Sequence, residues 1–198
     1  MIKTLIFDNG GVIVDDAWLK FEIELNQKYG KKSGNIASKI NEYGKEAACG
    51  RLTHSQLMAK VRKMTKNSQE QEALFQPTEP KKDVLSYIEE LSHIYELALL
   101  TNELANFEHD NRIWHLEKYF GERIYCSSKI GYAKPEPEAY EFVLSSLERQ
   151  PEEAILIDDK ETNLEGARQV GLNVIQFSSL DQLKTDLPKV IKEVNANK

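Results

Sequence analysis

The sequence predicts an α/β protein in which helices cover a parallel sheet and a separate helical unit is inserted after the first strand. Three observations predict it. Five segments, 3–8 (KTLIFD), 95–101 (YELALLT), 123–126 (RIYC), 154–158 (AILID) and 173–177 (NVIQF), are short and mostly continuous in apolar character, as strands buried on both faces are. Amphipathic helical patterns alternate with most of them, the arrangement of parallel strands joined by crossover helices. The stretch 16–77 breaks the alternation: it holds helical spacing and no strand, and roughly sixty residues exceed any ordinary crossover.

In chain order, strand one ends at Asp8. Trp18, Phe21, Leu25 and Tyr29 then recur at helical spacing. So do Leu57, Val61 and Met64, with Thr53 and Gln56 forming a capping box ahead of them. These residues form the inserted unit, 16–77, which leaves 1–15 and 78–198 as the main domain. Val84, Ile88 and Leu91 share one face of a helix that leads into strand two. RIYC is the least regular of the strands. Pro135 fits the first position of a helix carrying Tyr140, Val143, Leu144 and Leu147 on one face. After strand four, Thr162 is placed to cap a helix that Gly171 ends. From Ser178 onward Leu183, Leu187, Ile191 and Val194 form a stripe that covers the sheet, and Pro188 is expected to break or kink that helix.

The 198 residues suffice for one domain plus a small insert, and a chain of this size buries a core without staples. Hydrophobic residues make up 40% and charged residues 29%, ordinary for a globular protein. The net charge of −6 and the lack of a Lys/Arg stripe exclude a nucleic-acid partner. Cys49 and Cys126 form no CxxC or Cys/His pattern and read as free thiols in a reducing compartment. No stretch approaches a membrane span, and the apolar run before Asp8 is too short for a signal peptide. A cytoplasmic location is the expectation by elimination. Nothing in the sequence sets an oligomeric state.

Three strands end in polar residues: Asp8 after strand one, Thr101 and Asn102 after strand two, Asp158 and Asp159 after strand four. Open α/β sheets bind ligands beyond the carboxyl ends of their strands, where the strand order reverses. If the order is 3-2-1-4-5, these residues become neighbours. A lone Asp at a strand end more often caps a helix or binds water. Three crowded carboxylates repel unless a cation sits among them, and hard oxygens with no nearby His or Cys suit Mg²⁺. Gly10 and Gly11 can bring backbone close to an anion, although a Gly-Gly pair alone is also an ordinary turn. Lys134, just ahead of Pro135, stands at the end of a helix where the macrodipole disfavours a cation. Either an anion offsets it there or it is a solvated surface lysine.

These residues, in this order, resemble the haloacid dehalogenase-like (HAD) hydrolase superfamily over nearly the full chain. LIFDNGGVIVD resembles its first motif, with Asp8 in the nucleophile position. ALLTN resembles the second, with Thr101. The lysine of GYAKPEPEAY, Lys134, resembles the third, and ILIDDKETN resembles the fourth, with Asp158, Asp159 and Asn163. The insert is similar to the small helical cap of members that carry it between motifs one and two, and the FDxGG form of motif one resembles a phosphatase-like subgroup.

The resemblance implies a Rossmann-like core and a Mg²⁺-dependent phosphatase acting on a small phosphorylated metabolite, such as a sugar phosphate, through an aspartyl-phosphate on Asp8. It implies a metal held by Asp8, the Gly10 carbonyl and Asp159, with Asp158 acting directly or through water. Gly10, Gly11, Thr101, Asn102 and Lys134 would meet the phosphate, with Thr101 and Lys134 sharing catalysis with Asp8, and Asn163 would orient Lys134. The cap would close over the site and select the leaving group.

One position departs from the family. A second Asp usually stands two residues after the nucleophile and serves as acid and then base. Here that residue is Gly10. Asp15, Asp16 and the cap residue His54 are the nearby candidates to replace it. Tyr29, Tyr43, Arg51 and His54 are polar or aromatic candidates for substrate contact from the cap. Two other readings share the motifs. One is a metal-free 2-haloacid dehalogenase, against which the Asp158–Asp159 pair argues. The other is a weakly active or inactive domain that binds a phosphorylated ligand or a partner, which Gly10 favours.

Overall fold

The computed structural model describes residues 1–16, 18–20, 23, 27, 34–65, 79–102 and 115–196. Five strands form one parallel sheet: β1 (Thr4–Phe7), β2 (Glu96–Thr101), β3 (Ile124–Cys126), β4 (Ala154–Asp158) and β5 (Asn173–Gln176). Their order is β3-β2-β1-β4-β5, so the first strand lies in the middle with the second and fourth beside it. The strands are one to two residues shorter than the apolar runs that predict them, except β4, whose bounds coincide. β3 sits at the sheet edge. Arg123 is already outside its ladder, although its side chain donates to the Leu97 carbonyl at 2.9 Å.

Because side chains alternate across a strand, the sheet sorts its residues into two layers. Leu5, Phe7, Leu97, Leu99, Ile155 and Ile157 face one side and pack with Val84, Ile88 and Leu91 of α3 (Lys82–Ser92) and with Leu183 and Leu187 of α8 (Leu180–Ala196). Ile6, Ala98, Leu100 and Leu156 face the other side, against Tyr140, Val143 and Leu144 of α6 (Pro137–Ser146) and Leu164 and Ala167 of α7 (Glu161–Gln169). Each fully buried Leu or Ile stabilises by about 1.5–3 kcal/mol, so these two layers hold the sheet.

α8 runs through Pro188 without a break, contrary to expectation. Leu183 and Leu187 before the proline and Val190, Ile191 and Val194 after it all pack on the same layer, so both halves are held to the sheet. α7 begins one residue before Thr162: Lys160 is its N-cap, with no side-chain cap bond, and Gly171 follows its end with φ +88°. Two short helices, α4 (Glu117–Phe120) and α5 (Ser127–Ile130), flank β3.

Between β1 and α3, the described residues include α1 (Gly34–Ala48) and α2 (His54–Thr65). They enclose a small core of their own, with Ile40, Ala47, Leu57, Met58 and Val61 buried and Trp18, Tyr43 and Met64 packed against it. The expected capping box forms: the Thr53 N–H donates to Gln56 Oε1 at 2.9 Å and the Gln56 N–H to Thr53 Oγ1 at 3.3 Å. Phe21, Leu25 and Tyr29, and the side chain of His54, lie outside what is described. Cys49 and Cys126 are both buried. Among the described residues no helix is long and apolar enough to cross a membrane.

Candidate active site

Strand register builds the site. Phe7 is level with Ile157 of β4, so Asp8 and Asp158 leave adjacent strands side by side, and the Asp8 N–H donates to the Ile157 carbonyl at 2.9 Å. Both continue the layer of Ile6 and Leu156. Phe7 is also level with Leu99, which places Thr101, buried, just beyond Asp8 on β2. Asp159 follows directly. One carboxylate oxygen each from Asp8, Asp158 and Asp159 lie within 4.8 Å of one another.

Lys134 comes to this cluster from the loop before α6. Its ammonium lies 2.8 Å from Asp8 Oδ1 and 2.7 Å from Asp158 Oδ2, and its side chain is 1% exposed. The anion inferred from its misfit at a helix end is thus a pair of carboxylates. The helix itself starts later than expected: Pro137, not Pro135, occupies the first turn, with Glu136 as N-cap. A turn intervenes, closed by Glu136 N–H to the Ala133 carbonyl at 2.8 Å and by Ala133 N–H to Glu136 Oε2 at 3.1 Å.

Asn163 and Asn102 serve differently from the expected direct roles. The Asn163 amide donates to both Asp158 oxygens at 3.0 Å, so it acts on Lys134 through Asp158. The Lys160 N–H adds a bond to Asp158 Oδ1 at 2.9 Å, and the Tyr140 hydroxyl donates to the Asn163 carbonyl at 2.6 Å. The Asn102 side chain grips the main chain of Lys134, accepting from its N–H at 2.9 Å and donating to its carbonyl at 2.7 Å. The two bonds hold the main chain of the lysine in place.

The loop after β1 is held by a bridge in which Val14 N–H donates to Asn9 and Gly11 N–H to Val14, at 3.0 and 2.8 Å. The Gly11 N–H is therefore engaged, and the Gly10 carbonyl stands outside the bridge. Gly11 is required for another reason. Its φ is +82°, and a Cβ there would overlap the Asp159 carboxylate, 2.8 Å from even the farther oxygen. Gly166 is likewise needed where α7 meets the Lys134 loop: a Cβ would lie 2.9 Å from the Pro135 Cβ. Lys81, which no motif singles out, donates to the Gly11 and Val12 carbonyls at 2.8 and 3.2 Å. Lys160 pairs with Asp16 at 2.7 Å.

Burial is the largest influence on Asp8, and the Asp158 charge adds to it. Against the opposing pull of Lys134 they push its carboxyl up to about 7. Burial also raises Asp159. Lys134 is raised as well: burial acts downward, but the carboxylates of Asp158 and Asp8 outweigh it. In their charged forms three carboxylates face one ammonium, and the Asp16–Lys160 pair beside them is neutral, so two negative charges remain. Asp159 Oδ1 is buried without a hydrogen-bond partner. An orphaned oxygen in an all-oxygen cluster short of two positive charges fits Mg²⁺.

D-ribitol-5-phosphate phosphatase of Bacteroides thetaiotaomicron is 26% identical over 192 residues, covering 89% of this chain and 92% of that protein. Bifunctional epoxide hydrolase 2 of Rattus norvegicus is 38% identical over 64 residues, 32% of this chain, and the chain spans only 12% of that protein. Among solved structures, a HAD family enzyme from B. thetaiotaomicron in complex with magnesium and inorganic phosphate shares the fold, with a TM-score of 0.66 and 22% identity over 91% of this chain and 96% of that one. The profile of the haloacid dehalogenase-like hydrolases matches residues 2–171, and the chain belongs to that family.

Proposed function

We propose that this protein is a Mg²⁺-dependent phosphatase that hydrolyses a small phosphorylated metabolite, of the sugar- or polyol-phosphate class, through an aspartyl-phosphate on Asp8. The observation that carries the reading is the placement of Asp8, buried between Lys134 at 2.8 Å and the Asp158–Asp159 carboxylates within 4.8 Å. The phosphatase relative that spans nearly the whole chain supports it.

Asp8 attacks phosphorus, the bond to the leaving oxygen breaks, and water then cleaves the acyl phosphate and returns the carboxylate. Lys134 holds Asp8 in line and offsets negative charge as the phosphoryl group approaches. Asp158 keeps Lys134 in place, and Asn163 and Tyr140 keep Asp158 in place. Thr101 and the main chain at Asn102 and Gly10 bind phosphoryl oxygens. Asp8, the Gly10 carbonyl and Asp159 would hold Mg²⁺, with Asp158 at the edge of that set; when bound, the ion neutralises developing charge on the phosphoryl group. Residues 16–77 act as a cap that excludes water and selects the leaving group.

Turnover of p-nitrophenyl phosphate and of a panel of sugar and polyol phosphates, with and without Mg²⁺, tests the reading. Metal-dependent turnover that Asp8→Asn abolishes is the expected result. Halide release from a 2-haloacid without metal, or phosphate binding without turnover, would overturn it.

A further inference from the structure

Gly10 has no side chain where the resemblance leads one to expect an acid, and among the described residues the space there is nearly open. Among the described residues, a Cβ built on Gly10 has one near neighbour, the Asp16 carboxyl carbon at 4.0 Å, and the φ of Gly10 lies outside the left-handed region. The chain returns there because the Gly10–Val14 bridge folds the loop back on itself, carrying Asp16 up beside Gly10. The Asp16 side chain is 10% exposed. Its Oδ1 accepts the Leu19 N–H at 3.0 Å, and its buried Oδ2 faces Lys160 Nζ at 2.7 Å. It is close enough to the cluster for its charge to act on Asp159, and Lys160 in turn feels Asp8.

Among the described side chains, the other candidate, Asp15, stands apart. The Asp15 side chain is 57% exposed and paired with Lys20 at 2.8 Å. Nothing is described of the His54 side chain.

From the placement of its carboxyl beside Gly10, we infer that Asp16 carries out the proton transfers for which Gly10 has no side chain. This rests on the phosphatase reading. The Asp16 carboxylate, held by Lys160, takes a proton from the water whose oxygen bonds to phosphorus, while the bond between phosphorus and Asp8 breaks and its electron pair returns to Asp8. The proton gained there is the one Asp16 gives to the leaving oxygen in the next turnover, as the bond from phosphorus to that oxygen breaks. No other reactant is needed. The N-cap bond to Leu19 would exist for any capping residue; the buried oxygen aimed at Lys160 and the open space at Gly10 are what a cap alone leaves unexplained.

The test is Asp16→Asn, which keeps the cap and removes the proton carrier, with Asp16→Ser as a second capping variant should Asn fold poorly. The probes are phenyl phosphate, whose leaving oxygen needs a proton, and p-nitrophenyl phosphate, whose leaving oxygen does not. For phenyl phosphate kcat/KM falls about 10²-fold, and for p-nitrophenyl phosphate it stays within about threefold. With p-nitrophenyl phosphate, kcat falls and a burst of nitrophenol stoichiometric with enzyme appears, because hydrolysis of the acyl phosphate becomes slow. Adding Gly10→Asp to the Asp16→Asn protein restores at least about tenfold in kcat/KM for phenyl phosphate. Equal loss on both probes, no loss on either, or no recovery with Gly10→Asp overturns the assignment of Asp16. Wild-type protein inert on both probes with Mg²⁺ would instead overturn the phosphatase reading itself.

Discussion

Gly11→Ala separates the cost of folding from the cost of metal binding. The substitution places a side chain at φ +82°, which strains the backbone by about 1–2 kcal/mol. In a chain of this length that lowers Tm by about 2–8 °C. The added methyl also overlaps the Asp159 carboxylate, 2.8 Å from its Oδ1. A carboxylate on a rotatable side chain swings away at little expense to the fold, but it then no longer faces Asp8. Loss of a metal ligand weakens Mg²⁺ binding by at least about 10–100-fold, the range seen when even the supports of ligands are removed. Gly131→Ala is the control, because Gly131 has φ +84° with no described residue within 4 Å of a built Cβ. Thermal melts and isothermal titration with MgCl₂ read the two effects. Both variants lose comparable Tm, and only Gly11→Ala loses Mg²⁺ affinity. Equal Mg²⁺ affinity in the two variants would refute the placement of Asp159 as a ligand.

Three further outcomes follow from the same cluster. Lys134→Met leaves Asp8 and Asp158 buried without their shared cation, at a cost of about 3–5 kcal/mol, read as a lower urea midpoint; an unchanged midpoint contradicts the pairing. The raised carboxyl of Asp8, about 7 against an unfolded value of 3.8, makes the metal-free fold bind the extra proton between those values, so its stability from this group falls as pH rises through that window. Mg²⁺ requires the carboxylate, so its apparent affinity falls about tenfold per pH unit below about 7 and levels off above, checked by titration at several pH values; a flat profile would separate Asp8 from the metal.

The sheet was legible because continuous apolar runs and terminal polar residues are properties of single segments. β4 was read to the residue, and the order 3-2-1-4-5, taken as an assumption, is the order found. What reads poorly in sequence is whatever depends on one residue finding another. PEPEAY offers two prolines suited to a helix start, and only the Ala133–Glu136 turn decides for Pro137. Asn163 sits one turn from Asp158 and so supports it, whereas a sequence reading can pair it equally well with Lys134. Lys81 binds main-chain carbonyls, a target with no side-chain signature. Asp16 lay among three candidates until the loop bridge brought it beside Gly10.

The side-by-side emergence of Asp8 and Asp158 joins residues from opposite ends of the chain. During synthesis Asp8 leaves the ribosome early, and for most of elongation it has neither Lys134 nor Asp158 for company. Contacts so distant along the chain form late and slowly. A nascent polypeptide ending before β4 therefore carries an unguarded aspartate with no chemistry, and the catalyst comes into being only when the last inner strand docks.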